Sequence, residues 1–498
     1  MYKRTEAQML IPHEFFLPFG GKLNPENRWV KLAALIPWWE IEEKYAKNFR
    51  NTNVGQVALS VRVALGSLII QSRCGFSDEE TVEQITENPY LQYFIGLPKF
   101  QEKHPFDPSL MTHFRKRLGK DTINEINEMI ALSKASPNKD EDKNDDDPST
   151  GSTGKSSGGG ISRNKKGNSG KLILDATCAP ADIHYPTDLS LLNKAREKLE
   201  GIVDTLHEPF IGVNRKPRTY RNIARKNYLS IEKQRRPGMK KIRKAIGKQL
   251  RYVRRDLQII DKLLQKSDIE LLNTKQQKEL QVIQELYNQQ QIMYKNKTHR
   301  IEDRIVSIDK PHVRPIVRGK TNAEVEFGAK VAISVVGGYA FMEELSWDNF
   351  NEGTTLIKSI ENYHQRFGCY PEAVLADKIY RNRDNLRYCK EHGIRLSGPR
   401  LGRPCQSELS GQRKLERMDA RERNAVEGKF GEGKRTYGLA RIMTRLRETS
   451  ETVISMQLLV MNLEKRLRDS FHRFFKVQIL ARLRGVTAKL YGKWAIVQ

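Results

Sequence analysis

Two short apolar runs in this chain each lead into an aspartate, and a carboxylate in such a place is a typical metal ligand. Residues 171–177 read K-L-I-L-D-A-T and contain Asp175, and residues 373–377 read A-V-L-A-D and end at Asp377. Both runs have the length and composition of buried strands. A rigid strand holds a carboxylate more firmly than a loop does. We therefore expect a sheet to bring the two aspartates together.

A third carboxylate, Glu427, follows in a segment with helical character, one turn after Arg423. Two aspartates on neighbouring strands and a glutamate on a helix can bind two divalent ions. Such a pair clamps the attacking and leaving oxygens of a phosphoryl transfer, and hard oxygen ligands suit Mg²⁺ or Mn²⁺. The residues predicted to be both catalytic and metal-binding are Asp175, Asp377 and Glu427. Arg423 and Lys434 are then expected to face phosphate.

Two further aspartates follow Asp175 closely. Asp188 belongs to Pro186-Thr187-Asp188, which resembles a helix start, so we interpret it as a helix cap rather than a catalyst. Asp182 has no such explanation and remains an alternative.

The charge balance of the chain points to a polyanionic partner. The 498 residues include 87 Lys and Arg against 60 Asp and Glu, a formal net charge of +27. Nucleic acid is the first candidate and an anionic membrane surface the second. No apolar run reaches the roughly 18 residues that span a bilayer, and the N-terminus lacks the apolar core of a signal peptide. Five scattered cysteines without a C-x-x-C pair fit a reducing cytosol.

Two basic segments are candidates for DNA contacts. Residues 214–255 carry 17 Lys and Arg against one acid, Glu232, and could neutralise several phosphates. A second basic helix is predicted after Asp107-Pro108-Ser109. For both segments a solvated helix face is the alternative. The expected DNA-binding residues in these segments are Arg235, Arg236, Lys240, Lys241, Arg115 and Arg117.

Periodicity divides the chain into a helical part and a mixed part. Residues 1–133 are predicted to form a helical N-terminal domain for DNA binding or dimerisation. Residues 134–170, rich in Gly, Ser, Asp and Lys, have the composition of a disordered linker. A catalytic domain is predicted over 171–470, with a basic helical insertion at 188–300. Residues 471–498 are predicted to form a basic C-terminal tail. The order strand, helical insertion, hairpin, helix, strand, helix predicts an α/β fold.

Local signals predict several element boundaries. Gly337-Gly338 is typical of a tight hairpin turn between residues 326 and 345. Gly119 is expected to end the basic helix. Thr274 with Gln277 predicts a capping box at the start of a helix.

Three segments carry a resemblance to a known family. They are L-I-L-D-A-T followed by A-D-I-H-Y-P-T-D-L-S-L-L-N, V-L-A-D-K-I-Y-R-N-R-D-N, and R-N-A-V-E-G-K-F-G-E-G-K-R-T-Y-G-L. In this order they resemble bacterial insertion-sequence transposases of the DDE type, in the broad IS-four and IS-five group. That family spaces Tyr, Arg, Glu and Lys with gaps of two, three and six residues. Arg423, Glu427 and Lys434 fit, whereas Ala420 stands where the family has Tyr.

The resemblance implies a ribonuclease-H-like catalytic core with a mixed sheet, preceded by an all-α domain. It implies a DNA transposase that binds terminal inverted repeats and target DNA, and that cuts and joins strands with two Mg²⁺ or Mn²⁺ ions. A homodimer or larger assembly in the bacterial cytoplasm, associated with the nucleoid, would follow. Two alternatives stay open. One is a related metal-dependent nuclease without strand transfer, and the other is a non-catalytic DNA-binding protein with ordinary strand-end aspartates.

Overall fold

The structure, a computed structural model, describes residues 15–17, 20–49, 57–132, 167–266, 271–320, 323–398 and 409–494. The predicted linker lies outside the described residues except for residues 167–170, which lead into the first strand.

The described N-terminal part is helical, as predicted. The third helix begins at Val61 because Ser60 caps it by accepting a hydrogen bond from Val63, and it ends at Gly75, which has φ 75°. Arg62 lies fully buried in this apolar helix and donates to the carbonyls of Tyr93 and Phe94. The helices are α1 (Arg28–Leu35), α2 (Trp38–Lys47), α3 (Val61–Cys74), α4 (Asp78–Glu87), α5 (Pro89–Phe94) and α6 (Leu110–Leu132).

Gly119 interrupts the basic helix, as predicted. Its backbone, with φ 64° and ψ 167°, is not helical, and a second helical segment follows the kink and runs to Leu132. The residues after the bend include Ile123, Ile126 and Ile130, which are fully buried. Their spacing is helical, so burial of this apolar face stabilises the second helical segment after the glycine.

The described part of the insertion contains four α-helices, which share a core of their own. They are α7 (Asp188–His207), α8 (Arg221–Glu232), α9 (Met239–Leu264) and α10 (Thr274–Asn296). Their apolar faces pack on one another, with Leu192, Leu199 and Val253 fully buried. The predicted caps are each displaced by one residue. Thr187, not Asp188, caps α7, and Asn273 with Gln276 forms the capping box of α10 in place of Thr274 and Gln277.

A mixed sheet forms the centre of the molecule. Its strands are β1 (Lys171–Pro180), β2 (Arg314–Lys320), β3 (Ala323–Val336), β4 (Tyr339–Ser346), β5 (Ala373–Leu375) and β6 (Arg395–Leu396). The path runs β2-β3-β1-β5-β6, and β4 also pairs with β3. Strand β1 is antiparallel to β3 and parallel to β5, and β5 is parallel to β6.

The predicted hairpin is confirmed as β3 and β4, with Gly337 and Gly338 at φ 53° and 76° in the turn. Within the hairpin, β3 pairs with β1 and β4 pairs with β3. Four helices follow or flank the sheet: α11 (Leu356–Phe367), α12 (Arg383–Glu391), α13 (Leu409–Thr436) and α14 (Arg447–Trp494).

The N-terminal helices share one core with the sheet and the last helix. Helix α14 packs along α6 and against β4. Asn462 on α14 donates to Asn127 on α6 and to the carbonyl of Ala340 on β4, over 2.8 and 2.7 Å. The predicted boundary at 471 falls inside α14, so the backbone there is helical rather than a separate tail. In the described ranges no helix has the length and apolarity needed to cross a membrane.

Candidate active site

One open cavity of about 900 Å³ collects the three carboxylates singled out from the sequence. Strand β1, the end of β5, the segment before α11 and one face of α13 form its walls. The polar side chains that line it include Asp175, Lys330, Glu352, Asp377, Glu427 and Lys434.

The register between β1 and β5 sets the positions of the two aspartates. Ile173 pairs with Leu375 in a parallel arrangement, so Asp175 and Asp377, each two residues further on, leave the pair at the same level. Contrary to the prediction, Asp175 does not lie at the end of its strand. Strand β1 continues beside β3, where Asp175 pairs with Ile333. Beyond Ile173, however, β1 no longer pairs with β5, and the cavity lies beside this unpaired part of the strand.

Helix α13 brings Glu427 to the cavity through contacts at helical spacing. Asp419 accepts hydrogen bonds from Arg395 on β6, and Glu422 pairs with Lys171 on β1 at 2.8 Å. Val426 is fully buried, whereas Glu427 is exposed. Residues spaced by three and four positions share one face of a helix. One face of α13 therefore anchors it to the sheet, and Glu427, Phe430, Gly431 and Lys434 line the cavity.

The two aspartates of the cavity differ in their hydrogen-bond partners. The amide of Ala176 donates to Oδ1 of Asp175 over 2.8 Å, and the amide of Lys378 donates to Oδ1 of Asp377 over 2.7 Å. Arg423 also donates from Nη1 to Oδ1 of Asp377 over 3.0 Å. The expectation that Arg423 faces phosphate therefore does not describe this structure, in which its partner is a carboxylate.

Burial raises the pKa of the Asp175 carboxyl, and the nearby carboxylates of Glu352 and Asp377 raise it further. The Ala176 amide and the Arg423 guanidinium act in the opposite direction. Burial and neighbouring negative charge both disfavour the ionised form. Four acids line the cavity against two lysines, so its lining carries a net negative charge.

Glu352 is a cavity residue that the sequence did not reveal. It opens a short 3-10 turn, Glu352–Thr354, and pairs with Lys330 at 3.0 Å. Lys330 lies on β3, is nearly buried, and also donates to the carbonyl of Phe350 over 2.8 Å. Glu352 lies in an irregular segment without periodicity. Its only sequence signal is that an acid stands shortly before an amphipathic helix.

Tyr380 lies beside the same acidic group. Its side chain is 1% exposed, and burial raises its pKa, as do the charges of Glu352, Asp175 and Asp377. The phenol therefore stays protonated and can serve only as a neutral neighbour of the carboxylates.

The carboxylate oxygens in the cavity are of the type that binds a divalent ion, but they are not arranged closely enough to coordinate one. The oxygens of Asp175, Asp377, Glu427 and Glu352 are the hard ligands that Mg²⁺ or Mn²⁺ prefers. Burial is the main cause of the raised pKa of Asp175, and neighbouring carboxylates add to it. However, the described part of the chain contains no three acidic, histidine or cysteine side chains close enough to hold one ion. Side chains in the cavity would have to turn toward a bound ion.

Asp182, the alternative ligand, is paired elsewhere. Arg441 donates to Oδ1 of Asp182 from Nη2 and Nε over 2.7 and 2.8 Å. The backbone amide of Asp182 donates to the carbonyl of Ile442. These contacts join the end of β1 to the segment before α14, and Asp182 does not line the cavity.

The expected DNA-binding residues fall into two groups. Arg115 is 5% exposed, pairs with Asp78 and donates to Gln71, which corrects its assignment as a DNA contact. Arg117 is half-buried, with its guanidinium 5.2 Å from the ring centre of Phe49. The other four side chains are exposed on or before α9: Arg235, Arg236, Lys240 and Lys241.

Two family models match parts of the chain. Residues 374–464 match the model described as "Transposase DDE domain", and residues 18–117 match the "Transposase domain (DUF772)". The first match includes Asp377, Arg423, Glu427 and Lys434, whereas Asp175 lies outside it. Together the two matches support an insertion-sequence transposase.

A curated relative is similar over a shorter stretch. It is "Uncharacterized protein ORF8 in nfe locus" of Rhizobium meliloti, which is 38% identical over 104 residues. The matched stretch is 21% of this chain and 49% of the relative, so the chain spans about half the length of the protein it matches. No solved structure matches the chain.

Proposed function

We propose that this protein is a DNA transposase of the DDE type. It would bind the ends of a transposable element, cut DNA strands there and join the freed ends to target DNA. The observation that carries the proposal is the shared register of β1 and β5. It sets Asp175 and Asp377 at one level of a cavity whose opposite wall, helix α13, presents Glu427.

The sheet topology supports a ribonuclease-H-like core. Strands β4, β3 and β1 are antiparallel neighbours, and β5 and β6 extend the sheet in parallel from β1. The family resemblance leads us to expect a mixed sheet that brings the two aspartates together, and this sheet fits that expectation. Within the family, the spacing of Arg423, Glu427 and Lys434 favours the IS-four and IS-five group, with Ala420 as the departure.

Asp175, Asp377 and Glu427 are the residues that would hold divalent ions, with Mg²⁺ or Mn²⁺ favoured by oxygen ligands. When bound, such ions activate the attacking oxygen and stabilise the leaving oxygen of a phosphoryl transfer. Lys434, in the same wall as Glu427, is positioned to contact a DNA phosphate near the reacting one. Arg423 keeps α13 at the cavity through Asp377, and would contact phosphate if that pair opens.

The basic helices of the insertion are proposed to bind double-stranded DNA without sequence preference. Arg235, Arg236, Lys240 and Lys241 are exposed, so each can reach a backbone phosphate. We propose further that two or more copies act together on paired element ends, in the bacterial cytoplasm at the nucleoid. The residues before the linker would serve DNA binding or dimerisation.

The experiment that tests the proposal uses the DNA that flanks the gene for this protein. Purified protein, Mg²⁺ or Mn²⁺ and a fragment carrying both flanks are incubated with a target plasmid, and the ends are mapped. Cuts at the element boundary followed by joined products are expected. Free ends without joined products would favour a metal-dependent nuclease, and binding without any cut would favour a non-catalytic DNA-binding protein.

A further inference from the structure

A second polar cavity, of about 470 Å³, lies between helices α8 and α9 of the insertion. Its volume is within the range of roughly 300–1,000 Å³ typical of small-ligand pockets. Three cationic side chains, two phenols and one amide line it, without an acid. They are Tyr220, Asn227, Lys248, Arg251, Tyr252 and Arg255.

Helix α9 supplies four of these side chains from one face. Lys248, Arg251, Tyr252 and Arg255 follow one another at spacings of three, one and three residues, which places them together on the helix surface. Asn227 on α8 links two of them. Its amide nitrogen donates to the hydroxyl of Tyr252 over 2.9 Å, and its carbonyl oxygen accepts from Lys248 over 3.1 Å.

No carboxylate in the described part of the chain forms an ion pair with these three cations. Within the described ranges, neither Lys248 nor Arg251 nor Arg255 forms an ion pair with an acid, whereas nearby Arg221 pairs with Asp204 at 2.7 Å. Asp256 lies next to Arg255, whose charge acts to lower the pKa of its carboxyl, but Asp256 is fully buried and does not line the cavity. Like charges that share a cavity repel one another, and an anion bound among them would offset this repulsion.

Tyr220 provides an independent sign of a binding site. Its backbone is left-handed, with φ 56° and ψ 28°, a conformation that is uncommon outside glycine and costs free energy. Tyr220 lines the cavity and is 41% exposed. The guanidinium of Arg255 lies 4.5 Å from its ring centre, which holds ring and cation together.

We propose that this cavity binds a phosphate group of a DNA strand. Lys248, Arg251 and Arg255 would neutralise the phosphate, and the tyrosine hydroxyls would donate to its oxygens. That DNA is the source of the phosphate rests on the proposed function, whereas the anion site itself does not. Inorganic phosphate shares the same chemistry, so the test compares the two.

The first test labels lysines of the full-length protein with pyridoxal 5′-phosphate and borohydride, and quantifies the modified peptides by mass spectrometry. Lys248 should react several-fold faster than Lys262, an exposed lysine on the same helix. Pyridoxal, which lacks the phosphate, should show no such preference. A short DNA oligonucleotide should protect Lys248. Equal labelling of the two lysines would refute the site, and protection by inorganic phosphate but not by DNA would refute DNA as its ligand.

The second test compares two variants with equal loss of charge on α9. Arg251→Gln/Arg255→Gln removes pocket cations, and Arg254→Gln/Lys262→Gln removes exposed cations outside the pocket. The pocket variant should weaken DNA binding by roughly tenfold more than the control variant at equal salt. Equal weakening would overturn the proposal. Neither test measures DNA cutting. A protein that binds DNA at this cavity but cuts no DNA would therefore refute the proposed function and leave this inference standing.

Discussion

Arg423 on α13 reaches Asp377 at the end of β5, with 3.0 Å between Nη1 and Oδ1. The contact joins the helix that carries Glu427 to the strand that carries the second aspartate. The same guanidinium lowers the pKa of Asp175, although burial prevails and the net shift is upward. A single side chain thus ties the helix and the sheet together at the cavity.

Asp377→Asn should abolish DNA cutting and joining while leaving the fold intact. The asparagine oxygen can still accept from the amide of Lys378, and the lost ion pair with Arg423 is exposed enough to contribute at most about 1 kcal/mol. Product mapping and thermal unfolding measure the two effects. Asp384→Asn, on the exposed start of α12, is the control and should cut normally. An Asp377→Asn protein that still cuts DNA would show that the assigned carboxylate is not catalytic.

Arg423→Ala should lower the rate of DNA cutting by more than tenfold and change the free energy of unfolding by less than about 1 kcal/mol. The proposed reason is a loss of alignment between α13 and β5 together with loss of a phosphate contact. Single-turnover cleavage and urea unfolding test the two parts. Arg421→Ala is the matched control, since Arg421 is exposed on the same helix two residues away. Equal rates for the two variants would exclude a role for the Arg423 contact.

Lys330→Met should destabilise the protein by about 1–3 kcal/mol, because it leaves the carbonyl of Phe350 and the carboxylate of Glu352 without their buried donor. Glu352→Gln should cost less, since the amide oxygen can still accept from Lys330. Urea unfolding measures both. Lys358→Met removes an exposed lysine that pairs with Glu344 and should have little effect. A Lys330→Met protein as stable as Lys358→Met would rule out this anchoring role.

The stability of the insertion should fall as pH rises from about 4 to 7 because of Asp256. This residue is fully buried, neither carboxylate oxygen has a hydrogen-bond donor among the described residues, and burial raises its pKa to about 7. Between its ordinary pKa and the raised one, the folded state holds a proton that the unfolded state has lost. Raising the pH therefore favours unfolding, by at most about 4 kcal/mol.

Asp256→Asn tests this dependence, because asparagine does not titrate. Urea unfolding followed by circular dichroism should give the variant a smaller loss of stability between pH 5 and pH 8 than the parent protein. Asp261→Asn, exposed on the same helix, should retain the full loss. Parallel pH profiles for the parent and Asp256→Asn would contradict the assignment.

Replacement of Arg235, Arg236, Lys240 and Lys241 by Ala should weaken binding to all duplexes alike. The slope of log affinity against log salt should flatten by roughly 0.9 for each lost phosphate contact. Fluorescence anisotropy with two unrelated duplexes over a salt series measures this. A variant with Lys266, Lys275, Lys278 and Lys295 replaced by Ala has the same charge loss on other exposed positions. Identical slopes for both variants would mean that the first set faces solvent.

That Asp175 and Asp377 line the same cavity could be predicted, because a short apolar run that contains or ends at an acid is a clear local pattern. The position of Glu427 followed from helical spacing to Arg423. Glu352 could not be predicted, because a β3 lysine holds it at the cavity and no local signal encodes that contact.

At two other positions the sequence does carry a local signal for the observed structure. Arg115 lies four residues after Met111 and three before Leu118, both buried, so its spacing already placed it on the inner face. For α10, Asn273 with Gln276 competes with Thr274 and Gln277 one residue later. Asparagine is the stronger N-cap, and the structure uses it.

The packing of α14 on α6 and β4 has a consequence for synthesis on the ribosome. Asn462 supplies both a donor and an acceptor to the backbone of Ala340, and it leaves the ribosome long after the strands it completes. A nascent chain that stops before residue 447 therefore exposes the apolar side of α6 and an unsatisfied β4 backbone. Such fragments are substrates for chaperones and proteases. Damaged copies of the gene would thus yield degraded protein rather than a DNA-binding remnant.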